Sequence, residues 1–378
     1  MPSRRDFLRI GAGAVTGAIP WRLAAEGRLE PVPVGRDDRF ILLYSNENAY
    51  GPSAKVLDAI TSVAPSANRY PRLHYDSLTE KIGSVHHVSP DRVLLGCGST
   101  EVLRMAACAF LGSGKQLIHA SPTFEAMEHY AASVDSEIIS VPLTSAFAHD
   151  LDAMLGRVGA STALVYICNP NNPTASLTPR KDLERFISKL PTSVLVILDE
   201  AYHHYAGASG MYGSFLDHPV DDEKLIVLRT FSKVYGLAGL RLGYAVGSPK
   251  IIQEMRRFAT QDNVNAMATE TAFAALDDED GIKNFIQRNA DDRQEFYNQA
   301  MARALKPIDS HANFVMMNTF HLAHDVIQHL RENNIVIGRQ FPPMDTYIRI
   351  SLGRPEEMRA FWHAWDLLPW AKNLMMHH

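Results

Sequence analysis

The sequence predicts an α/β protein whose larger part is a mostly parallel β-sheet covered by helices, followed by a smaller α+β domain. Up to about residue 250, short runs of continuous apolar residues alternate with helical patterns, which is typical of parallel strands joined by helical crossovers. Beyond that point the helical stretches are longer and the strands fewer. The length of 378 residues also favours two domains, because domains average roughly 150 residues.

The apolar runs and helical periods place the elements in order. In the first part we predict strands at 92–96, 116–119, 163–167, 194–198 and 225–228, and helices at 101–111, 123–133 and 180–190. In the later part we predict helices at 249–259, 267–305 and 323–333, and strands at 313–317 and 347–351. We divide the chain into 1–30 (signal), 31–65 (an arm joining the small domain), 66–255 (large domain) and 256–378 (small domain).

Composition excludes several classes of function. The chain is 46% hydrophobic and 21% charged with a formal net charge of −5, and it has no long basic run, so we expect no nucleic-acid partner. Its cysteines, Cys97, Cys108 and Cys168, have the spacing of neither a disulfide framework nor a zinc site. Adjacent histidines such as His203 and His204 would point to different faces of a strand. We therefore expect no metal site.

The first 30 residues resemble a twin-arginine (Tat) export signal. Arg4 and Arg5 are preceded by Ser3 and followed by Phe7 and an apolar stretch rich in glycine and alanine. That stretch is too short and too rich in glycine to span a membrane. We expect export to the periplasm by the Tat route, with a basic tail on a cytoplasmic protein as the alternative.

Lys233 follows a predicted buried strand within the run Thr-Phe-Ser-Lys. Burial lowers the pKa of an amine and favours its uncharged form, so Lys233 is a candidate for Schiff-base chemistry. The run at 235–244 contains glycines and Arg241. Glycines let the backbone approach a phosphate closely, and a planar guanidinium matches phosphate oxygens.

Three further strand ends carry polar residues. Asp199 ends a buried strand at the edge where open α/β sheets bind ligands; its carboxylate could pair with a pyridine nitrogen or cap the next turn. The segment 168–175 contains Asn-Pro twice, which predicts a rigid turn with an amide free to donate. The segment 96–101 is either an anion cradle at a helix N-terminus or an ordinary helix start. Together they predict one site for an anionic cofactor with a ring nitrogen.

These motifs in combination resemble the fold-type I pyridoxal-phosphate enzymes, especially histidinol-phosphate aminotransferases and related class I and II aminotransferases. The resemblance runs from about residue 42 to the C-terminus and rests on 46–52, 69–71, 98–101, 171–174, 199–202, 232–241 and 349–353. It implies a mostly parallel seven-stranded sheet between helices, a smaller C-terminal domain, pyridoxal 5′-phosphate as cofactor, and a homodimer with shared active sites.

The resemblance also implies roles for individual residues. Lys233 would carry the cofactor as a Schiff base and move the substrate proton, Asp199 would pair with the pyridinium nitrogen, and Tyr202 and Asn172 would donate to the phenolate oxygen. Phe124 would stack on the ring. The implied contacts of the cofactor phosphate are Ser99, Thr100, Thr230, Ser232, Arg241 and, from the neighbouring subunit, Tyr70.

The implied substrate residues are Arg349, as the clamp for a carboxylate or its equivalent, together with Tyr50 and Arg339. Ala175 stands where the family usually has glycine. The implied reaction is transamination between an amino acid or an amino-alcohol phosphate such as histidinol phosphate and a 2-oxo acid such as 2-oxoglutarate. Alternatives on the same fold are a lyase, a decarboxylase, a cyclising enzyme or a non-catalytic cofactor-binding regulator.

Overall fold

The computed structural model describes residues 39–217 and 223–370, so the predicted export signal at 1–30 lies outside the described residues. In chain order the strands are β1 (Ile41–Leu43), β2 (Val93–Cys97), β3 (Gln116–Ser121), β4 (Glu137–Pro142), β5 (Thr162–Cys168), β6 (Leu195–Asp199), β7 (Leu225–Thr230), β8 (Leu242–Val246), β9 (Lys306–Pro307), β10 (Phe314–Asn318), β11 (Ile335–Ile337) and β12 (Tyr347–Ser351).

The helices lie between these strands and after the last of them. In chain order they are α1 (Ala54–Val63), α2 (Arg72–Val85), α3 (Ser99–Phe110), α4 (Ala126–Ser133), α5 (Leu151–Leu155), α6 (Arg180–Lys189), α7 (His203–Ala206), α8 (Pro249–Arg256), α9 (Ala266–Leu276), α10 (Glu279–Met301), α11 (Ala323–Glu332) and α12 (Pro355–Asp366). No helix in the described part of the chain is long and apolar enough to cross a membrane.

Within the described residues, seven strands form one sheet in the order β2-β8-β7-β6-β5-β3-β4. β8 pairs antiparallel with β2 and β7, and the other neighbours in this sheet are parallel. The predicted mostly parallel seven-stranded sheet is therefore confirmed. Because β2, β5, β6 and β7 run in one direction, the segments that follow them meet at the same edge.

Apolar residues cover both faces of this sheet. Along β5, Val165 and Ile167 belong to one buried cluster, which also contains α6 residues, while Leu164 and Tyr166 belong to another, which contains α3 residues. Alternate residues of a strand point to opposite faces, so helices pack on each side. This double burial explains why the central strands are continuous apolar runs in the sequence.

The strands outside the seven-stranded sheet, together with α12, form a second group. β10 pairs antiparallel with β12 and β9, and β1 pairs parallel with β11. Their apolar side chains share a buried cluster with Phe361 and Trp365 of α12. This arrangement has the predicted α+β character, while the domain limits proposed from the sequence stay predictions.

The prediction of one continuous helix at 267–305 is wrong. The chain forms α9 and α10 with a break at Asp277 and Asp278, and the Asp278 carboxylate caps α10 by accepting from the Gly281 N–H at 3.3 Å. An aspartate that bonds the backbone three residues on favours a helix start over a helix interior.

Two other differences have local causes. α4 begins at Ala126 and not at residue 123, because the Thr123 hydroxyl donates to Asn171 Oδ1 at 2.7 Å and holds the preceding residues in a loop. β4 was not predicted because it is a partly exposed edge strand whose apolar residues, Ile138, Ile139 and Val141, form neither a continuous run nor a strict alternation.

Candidate active site

Lys233 lies three residues beyond β7, at the edge where the strand ends meet. Its Nζ donates to the carbonyl oxygens of Ser45 at 3.2 Å and Asn46 at 3.0 Å, and lies 5.5 Å from the centroid of the Tyr202 ring. Burial, with a further contribution from Arg349, lowers the pKa of Lys233 to about 8. At this pKa roughly a tenth of the amine is uncharged at pH 7, far more than for an ordinary lysine.

Asp199 is the last residue of β6, and only 2% of it is exposed. Its Oδ2 accepts from the Tyr166 hydroxyl at 2.9 Å, and its Oδ1 accepts from the Ala201 N–H at 3.2 Å. Burial raises the pKa of Asp199 to about 6. The turn after β6 thus engages one oxygen, and a cationic ring nitrogen at this carboxylate would stabilise its charged form.

Tyr202, Asn172 and Arg349 converge above the same edge. The Tyr202 hydroxyl accepts from Asn46 Nδ2 at 3.0 Å, and Asn172 Oδ1 accepts from Arg349 Nη1 at 2.6 Å. Arg349 Nη2 donates to Tyr44 O at 2.6 Å. Because the carbonyl end of the Asn172 amide is occupied by a cation, its Nδ2 is the end that can donate to a cofactor oxygen.

Asn171 ties two loops of the site together. Its Oδ1 accepts from the Thr123 hydroxyl at 2.7 Å and its Nδ2 donates to Pro122 O at 3.1 Å. These bonds hold the loop that carries Phe124 against the loop that carries Asn172. Phe124 itself is partly buried against the apolar cluster that contains α3.

Ala175 closes the turn that begins at Asn171. Its φ is +59°, in the left-handed region that glycine favours, and its N–H donates to Asn171 O at 2.8 Å. The buried position therefore keeps the left-handed backbone without the family's usual glycine, and the turn that presents Asn172 is preserved.

The candidate phosphate cradle lies between the start of α3 and the turn before β8. Gly98 precedes Ser99 and Thr100 with a φ of +75°. The Arg241 guanidinium faces it, 3.5 Å from Ser232 Oγ and 2.9 Å from Ala238 O. The Ser232 N–H donates to the Thr230 hydroxyl at 3.1 Å. The helix N–H groups and the guanidinium thus converge on one anion position.

Replacing Gly98 with alanine should weaken cofactor binding by roughly 10- to 100-fold, the value of one charge-assisted hydrogen bond. A Cβ at Gly98 would collide with Arg241 Nη2, so the guanidinium must leave its position. Gly114→Ala is the matched control, because its φ of +78° imposes the same backbone strain and its Cβ would meet no described atom within 4 Å. Cofactor titration by fluorescence measures both, and equal losses would contradict the cradle.

The predicted site residues that remain are Tyr50, Arg339 and Tyr70. The Tyr50 hydroxyl donates to Asp292 Oδ2 of α10 at 2.8 Å, with the Arg288 guanidinium carbon 4.9 Å from its ring centroid. Arg339 forms an ion pair with Glu125. Tyr70 is 75% exposed on the single chain. Their roles with substrate or with a second subunit stay predictions.

Asn46 lies in the 46–52 motif but, like Tyr166, was given no role in the site from the sequence. Asn46 is 1% exposed, has a φ of +54°, and its N–H donates to Ser351 Oγ at 2.8 Å. Tyr166 lies in an apolar run that predicts only core. The signal that could have found it is a lone hydroxyl in a buried strand beside the strand that ends at Asp199.

Comparison with known proteins agrees with this geometry. The sequence profile of the aminotransferase class I and II family matches residues 38–364. The chain belongs to the class I and II aminotransferases. A histidinol-phosphate aminotransferase of Moorella thermoacetica is 34% identical to this aminotransferase over 323 residues, covering 85% of this chain and 83% of the relative.

Two further similarities agree with the family. Histidinol-phosphate aminotransferase 1 of Bacillus thuringiensis subsp. konkukian is 36% identical to this aminotransferase, covering 84% of this chain and 86% of the relative. The crystal structure of histidinol-phosphate aminotransferase from Sinorhizobium meliloti in complex with pyridoxal 5′-phosphate superposes with a TM-score of 0.83 and 26% identity, covering 93% of this chain and 99% of that chain.

The residues at the sheet edge fit pyridoxal 5′-phosphate, the cofactor of this aminotransferase. A buried carboxylate at Asp199 suits the ring nitrogen, the cradle beside Arg241 suits the phosphate, and the low-pKa amine of Lys233 suits the aldehyde. Among the described residues, no group of three or more His, Cys, Asp or Glu side chains could hold a metal ion.

Proposed function

We propose that this aminotransferase moves the amino group of an amino-alcohol phosphate of the histidinol-phosphate kind, or of an amino acid, to a 2-oxo acid such as 2-oxoglutarate. The position of Arg349 carries the proposal: its guanidinium contacts Asn172 Oδ1 and Tyr44 O, so it can bind an anionic group of a substrate at the cofactor. The histidinol-phosphate aminotransferases among its relatives support the choice of donor.

Different residues of the chain have different roles in the proposed reaction. When bound, pyridoxal 5′-phosphate withdraws electrons from the substrate Cα and makes its proton acidic. Asp199 would hold the positive charge of the ring nitrogen, and Asn172 and Tyr202 would hold the ring through its phenolate oxygen. The uncharged amine of Lys233 takes the proton from the donor Cα and later returns a proton to the Cα of the acceptor.

The reaction is tested with histidinol phosphate and a panel of amino acids as donors against 2-oxoglutarate. We expect glutamate to form only when both donor and 2-oxoglutarate are present. A lyase or decarboxylase would instead release product without the 2-oxo acid, and a regulator would turn over no donor. Either result would overturn the proposed reaction.

The pKa of Lys233 gives a pH dependence that can be measured in the cofactor-free protein. Only the uncharged amine reacts with an acylating reagent, so labelling of Lys233 should rise with pH and level off above about 8. An ordinary lysine titrates at about 10.4. Peptide mass spectrometry can follow Lys233 beside the exposed Lys283, whose side chain is 69% exposed. Identical pH profiles for the two lysines would contradict the effect of burial.

A homodimer with shared active sites follows from the family resemblance, in which Tyr70 contacts the cofactor phosphate of the neighbouring subunit. The 75% exposure of Tyr70 on the single chain supports this proposal. Mixing the inactive variants Tyr70→Ala and Lys233→Ala should restore activity, because a hybrid dimer regains one intact site. A monomer in light scattering, or no recovery on mixing, would argue against shared sites.

Export through the Tat route rests on the twin arginine at Arg4 and Arg5. Because this route carries folded proteins, the enzyme would acquire its cofactor before export. Fractionation with an immunoblot should find the protein in the periplasm, and substitution of both arginines by lysine should retain it in the cytoplasm. The same distribution for both forms would overturn the proposal.

A further inference from the structure

Two arginines share one aromatic ring beside the cofactor loops. The guanidinium carbon of Arg349 lies 4.8 Å from the centroid of Phe341, and that of Arg339 lies 4.4 Å from the same centroid. The backbone fixes this arrangement, because the Gly338 N–H donates to Arg349 O at 2.9 Å. A substrate bound through Arg349 therefore has a second guanidinium, that of Arg339, against the same ring.

The carboxylate of Glu125 is already bound to the guanidinium of Arg339. Glu125 forms an ion pair with its Nη2, while Arg339 Nη1 donates to Gln340 O at 2.6 Å. The two paired side chains are 42% and 38% exposed, so both face the open side of the site. Glu125 follows Phe124 on the loop that Asn171 holds through the Thr123 hydroxyl. The backbone next to Glu125 is therefore anchored to the loop that carries Asn172.

The charges of Arg339 and Glu125 also affect the pKa of Arg349. Burial and the charge of Arg339 together lower the pKa of Arg349 to about 10, against the opposite effects of Tyr202 and Glu125. The acidic side chain therefore offsets part of the positive potential that would attract a second anion into the site.

We propose that Glu125 is a specificity-determining residue that competes with the far end of the substrate for Arg339 and shifts the preference toward donors with an uncharged far end. An exposed ion pair is weak, so a phosphate or carboxylate on the substrate can displace it. The displaced carboxylate stays close, because its loop is fixed, and repels the anion that replaced it. The inference rests on the proposed function, since it concerns the substrate of the same site.

The test compares donors that differ only in their far end. Aspartate and 2-aminobutanoate form one pair, and glutamate and 2-aminopentanoate form another; neither depends on histidinol phosphate, whose one anionic group, the phosphate, is the group that Arg349 would bind. For each pair the measured quantity is the second-order rate constant of the donor half-reaction, which needs no acceptor, for the anionic donor divided by that for the uncharged donor. In Glu125→Gln we expect this ratio to rise on the order of tenfold, as like-charge repulsion is removed.

Glu128→Gln is the matched control. Glu128 lies in the first turn of α4, which begins just after Glu125, and its loss changes the net charge equally. We expect its ratios to equal those of the wild type. Arg339→Gln should lower the ratio, and adding Glu125→Gln to it should produce no further rise, because the group for which Glu125 competes is gone. Thermal unfolding of each variant checks that the fold is intact.

The outcomes separate the inference from the proposed function. Ratios that are the same in Glu125→Gln as in the wild type, for both pairs, overturn the role of Glu125. An equal rise in Glu128→Gln also overturns it, because the effect would then be one of net charge. Amino transfer from glutamate but not from histidinol phosphate overturns the proposed donor, while both pairs still test Glu125.

Discussion

Replacing Lys233 with alanine should lower the rate of amino transfer by at least about 10³-fold, the scale of a lost proton-transfer group. In the proposed mechanism the lysine amine is the base that takes the Cα proton, and the groups around its Nζ are the carbonyl oxygens of Ser45 and Asn46 and the ring of Tyr202. None of these can replace an amine with a pKa of about 8. The absorbance of the bound cofactor should also change, because its covalent link to the protein is lost.

Two other variants make this result specific. Lys233→Arg retains a cation at the site but cannot act as a base, so its activity should fall to a similar extent. Lys283→Ala removes an exposed lysine of α10, 69% exposed, and should leave kcat unchanged. Single-turnover rates with an amino donor measure the proton-transfer step directly. Transamination by Lys233→Ala within tenfold of the wild-type rate would refute the assignment.

Replacing Arg229 with methionine should lower the free energy of unfolding by about 3–5 kcal/mol, because it leaves a buried carboxylate without its cation. Arg229 is 4% exposed and Glu200 is 2% exposed. Arg229 Nε donates to Glu200 Oε2 at 3.0 Å, and its Nη2 donates to Ser214 Oγ at 2.6 Å. Glu200 also accepts from the Phe215 N–H at 2.9 Å, so its carboxylate cannot turn to water without breaking the loop that follows.

The loss of unfolding free energy should depend on which member of the buried pair Arg229 and Glu200 remains. Adding Glu200→Leu to Arg229→Met removes the isolated charge and should recover much of the loss, as replacement of buried pairs by apolar residues often does. The exposed pair Arg257 and Glu254, 70% and 47% exposed, provides the control, and Arg257→Met should cost less than about 1 kcal/mol. Urea and thermal unfolding measure these differences. Equal losses at Arg229 and Arg257 would contradict the argument.

The central residues of the site could be predicted because the strands that carry them are continuous apolar runs in the sequence. A strand buried on both faces is a continuous apolar run, so its end is visible in the sequence, and the residues just beyond it stand at the ligand-binding edge. Asp199 and Lys233 were placed in this way, and the structure has them at the ends of the neighbouring strands β6 and β7. The antiparallel strand β8 was not predicted, because its residues read as a glycine-containing loop.

Contacts between distant segments could not be predicted. Asn46 bonds Tyr202, 156 residues away, and Ser351, 305 residues away. It follows a strand of only three residues, β1, so no periodic pattern marks its position. Likewise, Arg339 was selected for a substrate anion, but nothing in its surrounding sequence indicates that Glu125 is its partner. Such pairs are set by tertiary packing and are visible only in the folded chain.

The carbonyl groups of residues 44–46 have a consequence for the reaction. Tyr44 O accepts from Arg349, while Ser45 O and Asn46 O accept from Lys233. One short stretch of backbone therefore contacts both the group that recognises the substrate and the group that transfers its proton. An anion that draws Arg349 away from Tyr44 O frees the peptide unit next to those that hold the lysine. Substrate recognition and the position of the lysine amine therefore depend on adjacent peptide units of one backbone segment.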